Sequence, residues 1–393
     1  MPYRDSEIQP SGGPSSAFPP EYPVDCPSDC PSDCPGCAHK NLPPDQRMRK
    51  KEAWLAARLD FWKPLIDPIQ AVPENLRWHY RGKVCLSTQW DRNGWRFGLI
   101  KRETVIPIHG CPIHTQQVRL AVALFSSALP PSSLFPLVYY AHSGSQVTLV
   151  VKSAQMPEMT WLDEALKNRL KTIGVDGLWL HLHPAAGKKV FVKNTWRLLY
   201  GTPQSTDGNG FIYGPRSFQQ LIPALYERAM SNAETFLALG PDNCMVDLYC
   251  GSGIGLTRWG RHCDHVMGVE LDGEAVSNAR TNAPGAVVLR GACRDRIPQL
   301  NEWAAAQQPD GRRLLYVNPP RTGLEPDIIR WITNDFKPLR MAYLSCSAGT
   351  LCRDLCFLEN AGYQIIRISP FDFFPNTLHV ETLVLIRSPE DKP

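Results

Sequence analysis

The sequence predicts an α/β protein whose carboxyl-terminal half, residues 201–393, folds around a largely parallel sheet. A central antiparallel α+β domain (75–200), a cysteine-rich segment with a basic helix (26–74) and a lead-in (1–25) precede it. Three observations carry this reading. After Gly201, short apolar runs (Cys244 to Leu248, His265 to Glu270, Leu314 to Val317, Met341 to Leu344) alternate with helical stretches, the rhythm of βα units. Two of these runs end abruptly in small or polar residues, at the carboxyl ends where open α/β sheets place ligands. Residues 75–200 instead carry strand-like runs joined by turns such as Asp91-Arg-Asn-Gly94, a hairpin signal.

Length and composition bound the rest. A chain of 393 residues holds two domains and a substantial core. A net charge of +4 permits a nucleic-acid surface through a local patch without requiring one. The sequence has no apolar run of about eighteen residues and no secretory signal, so no membrane partner is expected and the expected location is cytoplasmic. There the 13 cysteines stay reduced or bind metal.

In chain order, Met1 to about Pro23 is rich in proline, serine and glycine and is expected to be disordered. Cys26, Cys30, Cys34 and Cys37 follow within twelve residues, with Cys111 in a later turn as a distant further ligand. Thiolates this dense suit an iron–sulfur cluster, or zinc. Pro44 to Trp62 reads as an amphipathic helix with Arg47, Arg49, Lys50 and Lys51 on a basic face, either solvated or meeting phosphate. Arg77, Arg81, Lys83, Trp90, Trp95 and Arg96 interleave cations with rings on strands. That pattern serves single-stranded RNA or, equally, an exposed sheet over a tryptophan-rich core. Helices are expected over 118–128 and 160–173, strands over 137–142, 146–152, 177–183 and 188–193, and a further helix over 222–239.

The chemistry is concentrated beyond that helix. Asp247-Leu-Tyr-Cys-Gly-Ser-Gly253 is a strand entering a glycine turn, and the next strand ends in Glu270. Backbone close to a ligand plus an acid for ribose hydroxyls is a nucleoside arrangement. The next glycine, Gly255, falls one place short of the pyrophosphate fingerprint, which favours S-adenosylmethionine. Asn318-Pro-Pro-Arg321 is a proline-stiffened loop after a strand. Cys346 closes another strand just before a helix start, where a thiol pKa is lowered and a nucleophile made, although buried cysteine is commonly inert. Glu381 interrupts an apolar run, the setting in which a carboxylate is tuned as a general base.

Together these motifs resemble the S-adenosylmethionine-dependent RNA uracil-5-methyltransferases. The matching pieces are Phe218-x-Gln220, Asp247-Leu-Tyr-Cys-Gly-x-Gly253, Asn318-Pro-Pro-Arg-x-Gly323, Ser345-Cys346 with Thr350-Leu-x-Arg-Asp354, and Phe374-Pro-x-Thr-x-His379-x-Glu381. Cys26, Cys34, Cys37 and Cys111 resemble the [4Fe–4S] ligand spacing of the branch acting on ribosomal RNA, with Cys30 as an alternative to Cys26. The chain departs from the family in carrying Asn318 where many relatives have Asp, and Ser347-Ala-Gly where Asn-Pro-x is usual. With so short a lead-in, the amino-terminal oligonucleotide-binding barrel of some relatives is not expected here.

The resemblance implies a Rossmann-like S-adenosylmethionine-dependent methyltransferase domain, with 75–200 as RNA-contact domain. It implies Cys346 as nucleophile at carbon 6 of uracil and Glu381 as the base removing the carbon 5 proton. Gln220, Tyr249, Gly251, Gly253, Glu270 and Asn318 would lie at the cofactor, and Arg321 and Asn318 at the base. The implied substrate is a flipped uridine in a 23S ribosomal RNA hairpin loop, methylated by a monomer. The alternatives are a tRNA uracil-5-methyltransferase and an inactive RNA-binding protein.

Overall fold

The computed structural model describes residues 30–73, 76–187, 189–193, 195–307 and 312–391. The lead-in and Cys26 lie outside the described residues. Two seven-stranded sheets organise the chain. The first joins β1 (Lys83–Asp91), β2 (Gly94–Lys101), β3 (Thr104–Pro107), β4 (Leu137–Ser143), β5 (Gln146–Val151), β6 (Gly177–Leu182) and β7 (Trp196–Gly201) in the order 3-2-1-4-5-6-7. The predicted turn is there: Asp91 pairs with Gly94 across a two-residue connection.

The central sheet departs from the expected all-antiparallel pattern at one joint. The helix α3 (Glu164–Thr172) carries the chain from the end of β5 back to the level of its start, so β6 runs parallel to β5. Nor do residues 189–193 form the expected strand. His183 Nε2 bonds the Lys189 carbonyl at 2.9 Å and Val192 N–H donates to His181 Nε2 at 3.0 Å. Histidine side chains thus take the backbone bonds that a neighbouring strand would need, and the partner of β6 begins later, at Trp196. The basic and aromatic run divides by burial. Trp95 is buried and packs edge-on against Trp90, both on the core beneath α2 (Gln116–Ala128), so these rings build the sheet core rather than a stacking surface.

A two-stranded ribbon, β8 (Ser205–Thr206) with β9 (Ile212–Tyr213), leads to α4 (Pro223–Leu237) and the second sheet. Its strands are β10 (Cys244–Leu248), β11 (His265–Glu270), β12 (Val287–Arg290), β13 (Arg313–Val317), β14 (Arg340–Ser345), β15 (Gln364–Phe371) and β16 (Glu381–Arg387), in the order 12-11-10-13-14-16-15. The first five are parallel, and β16 inserts antiparallel between β14 and β15. The intervening helices are α5 (Ile254–Trp259), α6 (Gly273–Asn282), α7 (Ile297–Ala306), α8 (Pro326–Arg330) and α9 (Ala348–Asn360), and they build an apolar core on each face of the sheet.

The amino-terminal helix α1 (Pro44–Arg58) divides its expected basic residues, with Arg49 and Lys50 exposed to solvent and Arg47 and Lys51 turned inward. Leu55 and Leu59 join the second sheet's core, and Arg47 and Lys51 are buried with them. Beyond it, Asp67 and Gln70 donate backbone N–H bonds to Ile368 and Pro370, extending the sheet past β15. Among the described residues, no helix is long and apolar enough to cross a membrane.

The structure explains Gly255 without a phosphate. A Cβ there would lie 2.4 Å from Asp247 Oδ2, the oxygen that accepts from Trp259 Nε1 at 2.8 Å. In an ordinary helix, glycine to alanine stabilises by about 0.5–1 kcal/mol. Gly255→Ala is expected to destabilise instead, by about 1–3 kcal/mol, through overpacking against this carboxylate. Urea unfolding of the two proteins reads the sign.

Candidate active site

The carboxyl ends of β10, β11, β13 and β14 share one rim of the second sheet, and the loops leaving them carry most of the expected residues. Below the glycine turn, burial pushes the Asp247 carboxyl up to about 7; the Trp259 bond opposes this and the Glu270 charge adds to it. Gly251 N–H donates to Glu270 Oε2 at 3.1 Å and Asp272 N–H to Glu270 Oε1 at 2.7 Å. The backbone therefore orients both oxygens, and each keeps a lone pair for a ligand hydroxyl. Tyr249, on the same turn, donates its hydroxyl to Glu325 Oε2 at 3.1 Å. Asn318 follows β13 immediately, and its N–H reaches the Leu248 carbonyl at 3.4 Å, bringing the proline loop beside Tyr249.

Cys346 leaves β14 at the same rim. Antiparallel pairing of Ser345 with Thr382 sets the first residue of β16, Glu381, beside it. Glu381 is only 6% exposed. Burial raises its carboxyl to about 7 against the pull of Arg321. The Cys346 thiol is also raised, by burial first and then by the Glu381 charge, while the neighbouring Arg321 guanidinium opposes both. Three chemically complementary groups thus meet: a thiol, a carboxyl near neutrality and a guanidinium that favours either anion. This corrects the expectation of a lowered thiol pKa. Burial and the neighbouring acid outweigh the opposing Arg321 charge.

The loop bearing Arg321 is clamped by α9, a role the motif Thr350-Leu-x-Arg-Asp354 did not disclose. Thr350 Oγ1 donates to the Arg321 carbonyl at 3.2 Å, and Arg353 Nη2 donates to the carbonyls of Thr322 at 3.0 Å and Leu324 at 3.1 Å. The fully buried Asp354 accepts from Leu324 N–H at 2.8 Å and Tyr343 O–H at 2.7 Å, and pairs with Arg353. Gly323 has φ +73°, and a Cβ would lie 2.5 Å from Asp354 Oδ2, so the turn over that carboxylate requires glycine.

Gln220 follows Phe218 in the segment leading to α4. It lines a cavity of about 520 Å³ with Phe218, Phe373, Phe374, Arg81 and the cysteines Cys30, Cys34, Cys37 and Cys111. Burial and the thiols of Cys111, Cys34 and Cys30 push Cys37 up to about 12, with Arg81 opposing. The described members of the expected set, Cys34, Cys37 and Cys111, are therefore neighbours, and Cys30 joins them. No three His, Cys, Asp or Glu among the described residues are placed as ligands of a single metal ion. Asp372 and Asn376, which with Lys51 tie α1 to the loop before Glu381, are not singled out by the sequence, and Lys51 is read there only as part of a basic face. Asp372 lies between Phe371 and Phe373, the same signal of a carboxylate in apolar surroundings that marked Glu381.

A family model described as tRNA (Uracil-5-)-methyltransferase matches residues 312–388, the stretch holding Asn318, Arg321, Cys346 and Glu381. An uncharacterized RNA methyltransferase of Enterococcus faecalis is 27% identical over 350 residues, covering 83% of this chain and 75% of its own. One from Listeria innocua is 26% identical, covering 79% and 72%. The crystal structure of Pyrococcus abyssi tRNA (uracil-54, C5)-methyltransferase in complex with S-adenosyl-L-homocysteine superposes with a TM-score of 0.65 at 20% identity. The alignment covers 90% of this chain and 86% of that one, which shows the fold.

The charge arrangement predicts a measurable coupling between the thiol and the acid. In Glu381→Gln an anion beside the sulfur is lost, so Cys346 should alkylate at lower pH than in the wild type. In Arg321→Met a cation is lost, and the profile should move to higher pH. Mass spectrometry of the Cys346 peptide after iodoacetamide pulses across pH reads both shifts.

Proposed function

From the premise that this chain belongs to the RNA uracil-5-methyltransferase family, we propose that it transfers a methyl group from S-adenosylmethionine to carbon 5 of a uridine in a 23S ribosomal RNA hairpin loop. The observation that carries the reading is the meeting of Cys346, Arg321 and Glu381 at the strand ends. Carbon 5 of uracil is a weak nucleophile and needs activation. The Cys346 thiol gives its proton to solvent, the thiolate favoured by Arg321 adds to carbon 6, and the electron pair of the 5,6 double bond moves into an enolate while Glu381 stays a free carboxylate. Carbon 5 then attacks the methyl of the sulfonium, whose carbon–sulfur bond breaks to leave S-adenosylhomocysteine. Glu381 takes the carbon 5 proton, the double bond re-forms, and Cys346 leaves as thiolate. Arg321 favours the two anions in turn, and Asn318 faces the base from the proline-stiffened loop. Glu270 and the Gly251–Gly253 turn receive the cofactor's nucleoside, with Tyr249 alongside.

Methyl transfer from labelled S-adenosylmethionine to unmodified total RNA tests the reading. 5-Methyluridine should appear in 23S RNA and vanish in Cys346→Ala. In Glu381→Gln turnover should fall roughly 10²–10⁴-fold, with methylated RNA trapped on Cys346 as a denaturant-stable adduct. Product in tRNA alone would favour the competing substrate, which the description of the matching family supports. No methyluridine in either RNA would sink the reading.

The thiol set supports a further part of the proposal. Four cysteines with no carboxylate among them form a soft donor set suited to a [4Fe–4S] cluster. Cys30, Cys34, Cys37 and Cys111 would hold it, with Arg81 favouring the thiolates. When bound, the cluster would fasten residues 30–37 to the turn at Cys111. Cys30→Ser is expected to lose iron, sulfide and visible absorbance after anaerobic purification, whereas Cys26→Ser retains them. The reverse outcome would restore Cys26 as the first ligand.

A further inference from the structure

The loop between β15 and β16 is held by an unusual density of buried polar contacts, and most of them come from α1. Lys51 is 0% exposed. Its ammonium donates to the Asp372 carboxylate, to the Phe374 carbonyl at 3.0 Å and to the His379 carbonyl at 3.1 Å. An ammonium has three N–H donors, so this single loop takes all of them. Asp372 directly follows β15, and His379 lies two residues before Glu381, so Lys51 cross-ties the two ends of the loop. A second tie holds the apex at Asn376, which has φ +67°. Its side-chain oxygen accepts from Arg47 and, at 3.3 Å, from Arg77, and its carbonyl accepts from His39 N–H at 2.9 Å.

Glu381 is the first residue of its strand, paired with Phe371 across the ladder. A strand end frays unless the incoming chain is held, and a carboxylate swinging on a frayed end loses its aim. Beyond burial, the resolved influence on this carboxylate is Arg321. Lys51 therefore reaches it through the backbone and not through its charge. Cys346 and Arg321 depend on different supports, namely β14 and the clamp from α9.

We propose that Lys51 is a positioning residue for the proton-abstracting step, tying the loop 372–379 so that the Glu381 carboxylate meets the carbon 5 proton. The inference rests on the functional reading above. In that step the carbon 5 proton passes to Glu381, the 5,6 double bond re-forms, and the bond from carbon 6 to sulfur breaks. Loosening the loop leaves addition and methyl transfer intact and delays release.

The test measures two quantities on the same RNA: the fraction trapped covalently on Cys346, and the rate of free 5-methyluridine formation. Lys51→Met strands Asp372 in the core, so Lys51→Met/Asp372→Leu is the decisive variant. It removes both buried charges and with them the Lys51 tie between the Phe374 and His379 carbonyls, leaving at Phe374 only the local bonds from Thr377. The expected result is a fold as cooperative as wild type, cofactor binding unchanged, product release slowed roughly 10- to 100-fold, and methylated adduct accumulating as in Glu381→Gln. Lys51→Arg, which keeps a donor, should recover part of the release rate. Wild-type release in the double variant, or adduct and product falling together in step with folded protein, would overturn the positioning role while leaving the functional reading intact. A wild-type enzyme making no methyluridine would remove the reading and this inference with it.

Discussion

The antiparallel ladder between β14 and β16 is the constraint on which the site depends. A parallel strand delivers its carboxyl end to the ligand rim, whereas an antiparallel neighbour starts there. The chain thus leaves β14 at Cys346 and enters β16 at Glu381, 35 positions apart in sequence but adjacent across the pair Ser345 and Thr382. With β16 parallel, its first residue would sit at the opposite edge of the sheet. Placing Cys346 and Glu381 at the end of one ladder also makes their separation a property of the sheet rather than of a loop.

The groups that complete the site are held by buried charges used as fasteners. Asp354 gathers a tyrosine hydroxyl, a backbone amide and Arg353 beneath the Arg321 turn. Lys51 gathers a carboxylate and two carbonyls beneath the loop entering Glu381. Taking such charges from water costs about what their attraction returns, so their worth lies in geometry. Each satisfied donor removes one way for a loop to rearrange. The price is sensitivity, because losing one partner strands the other in a dry core.

The thiol, the acid and the guanidinium behave as one titrating unit. Burial lifts both Cys346 and Glu381, the Glu381 charge lifts the thiol further, and Arg321 opposes both shifts. In the cysteine cavity, burial and the neighbouring thiols likewise push Cys37 up, with Arg81 as the opposing charge.

What was legible in the sequence is what local chemistry writes locally. The βα rhythm, the glycine turn at 251–253, the hairpin at Asp91–Gly94, and Cys346 and Glu381 as odd residues in apolar runs all follow from short-range periodicity and burial cost. Gly255 was visible as one place out of pattern, but only the packing shows why: it makes room for Asp247. The parallel joint at β6 and the loss of the strand at 189–193 depended on where α3 returned the chain and on which histidines intercepted its hydrogen bonds. The basic helix misled for a similar reason. Periodicity reports which residues share a face, not what that face meets, and Lys51 meets a carboxylate 321 positions away. Residue types and turns were thus settled by the sequence alone. Which charges became partners was decided by the tertiary structure, because desolvation and pairing depend on neighbours that only the closed fold supplies.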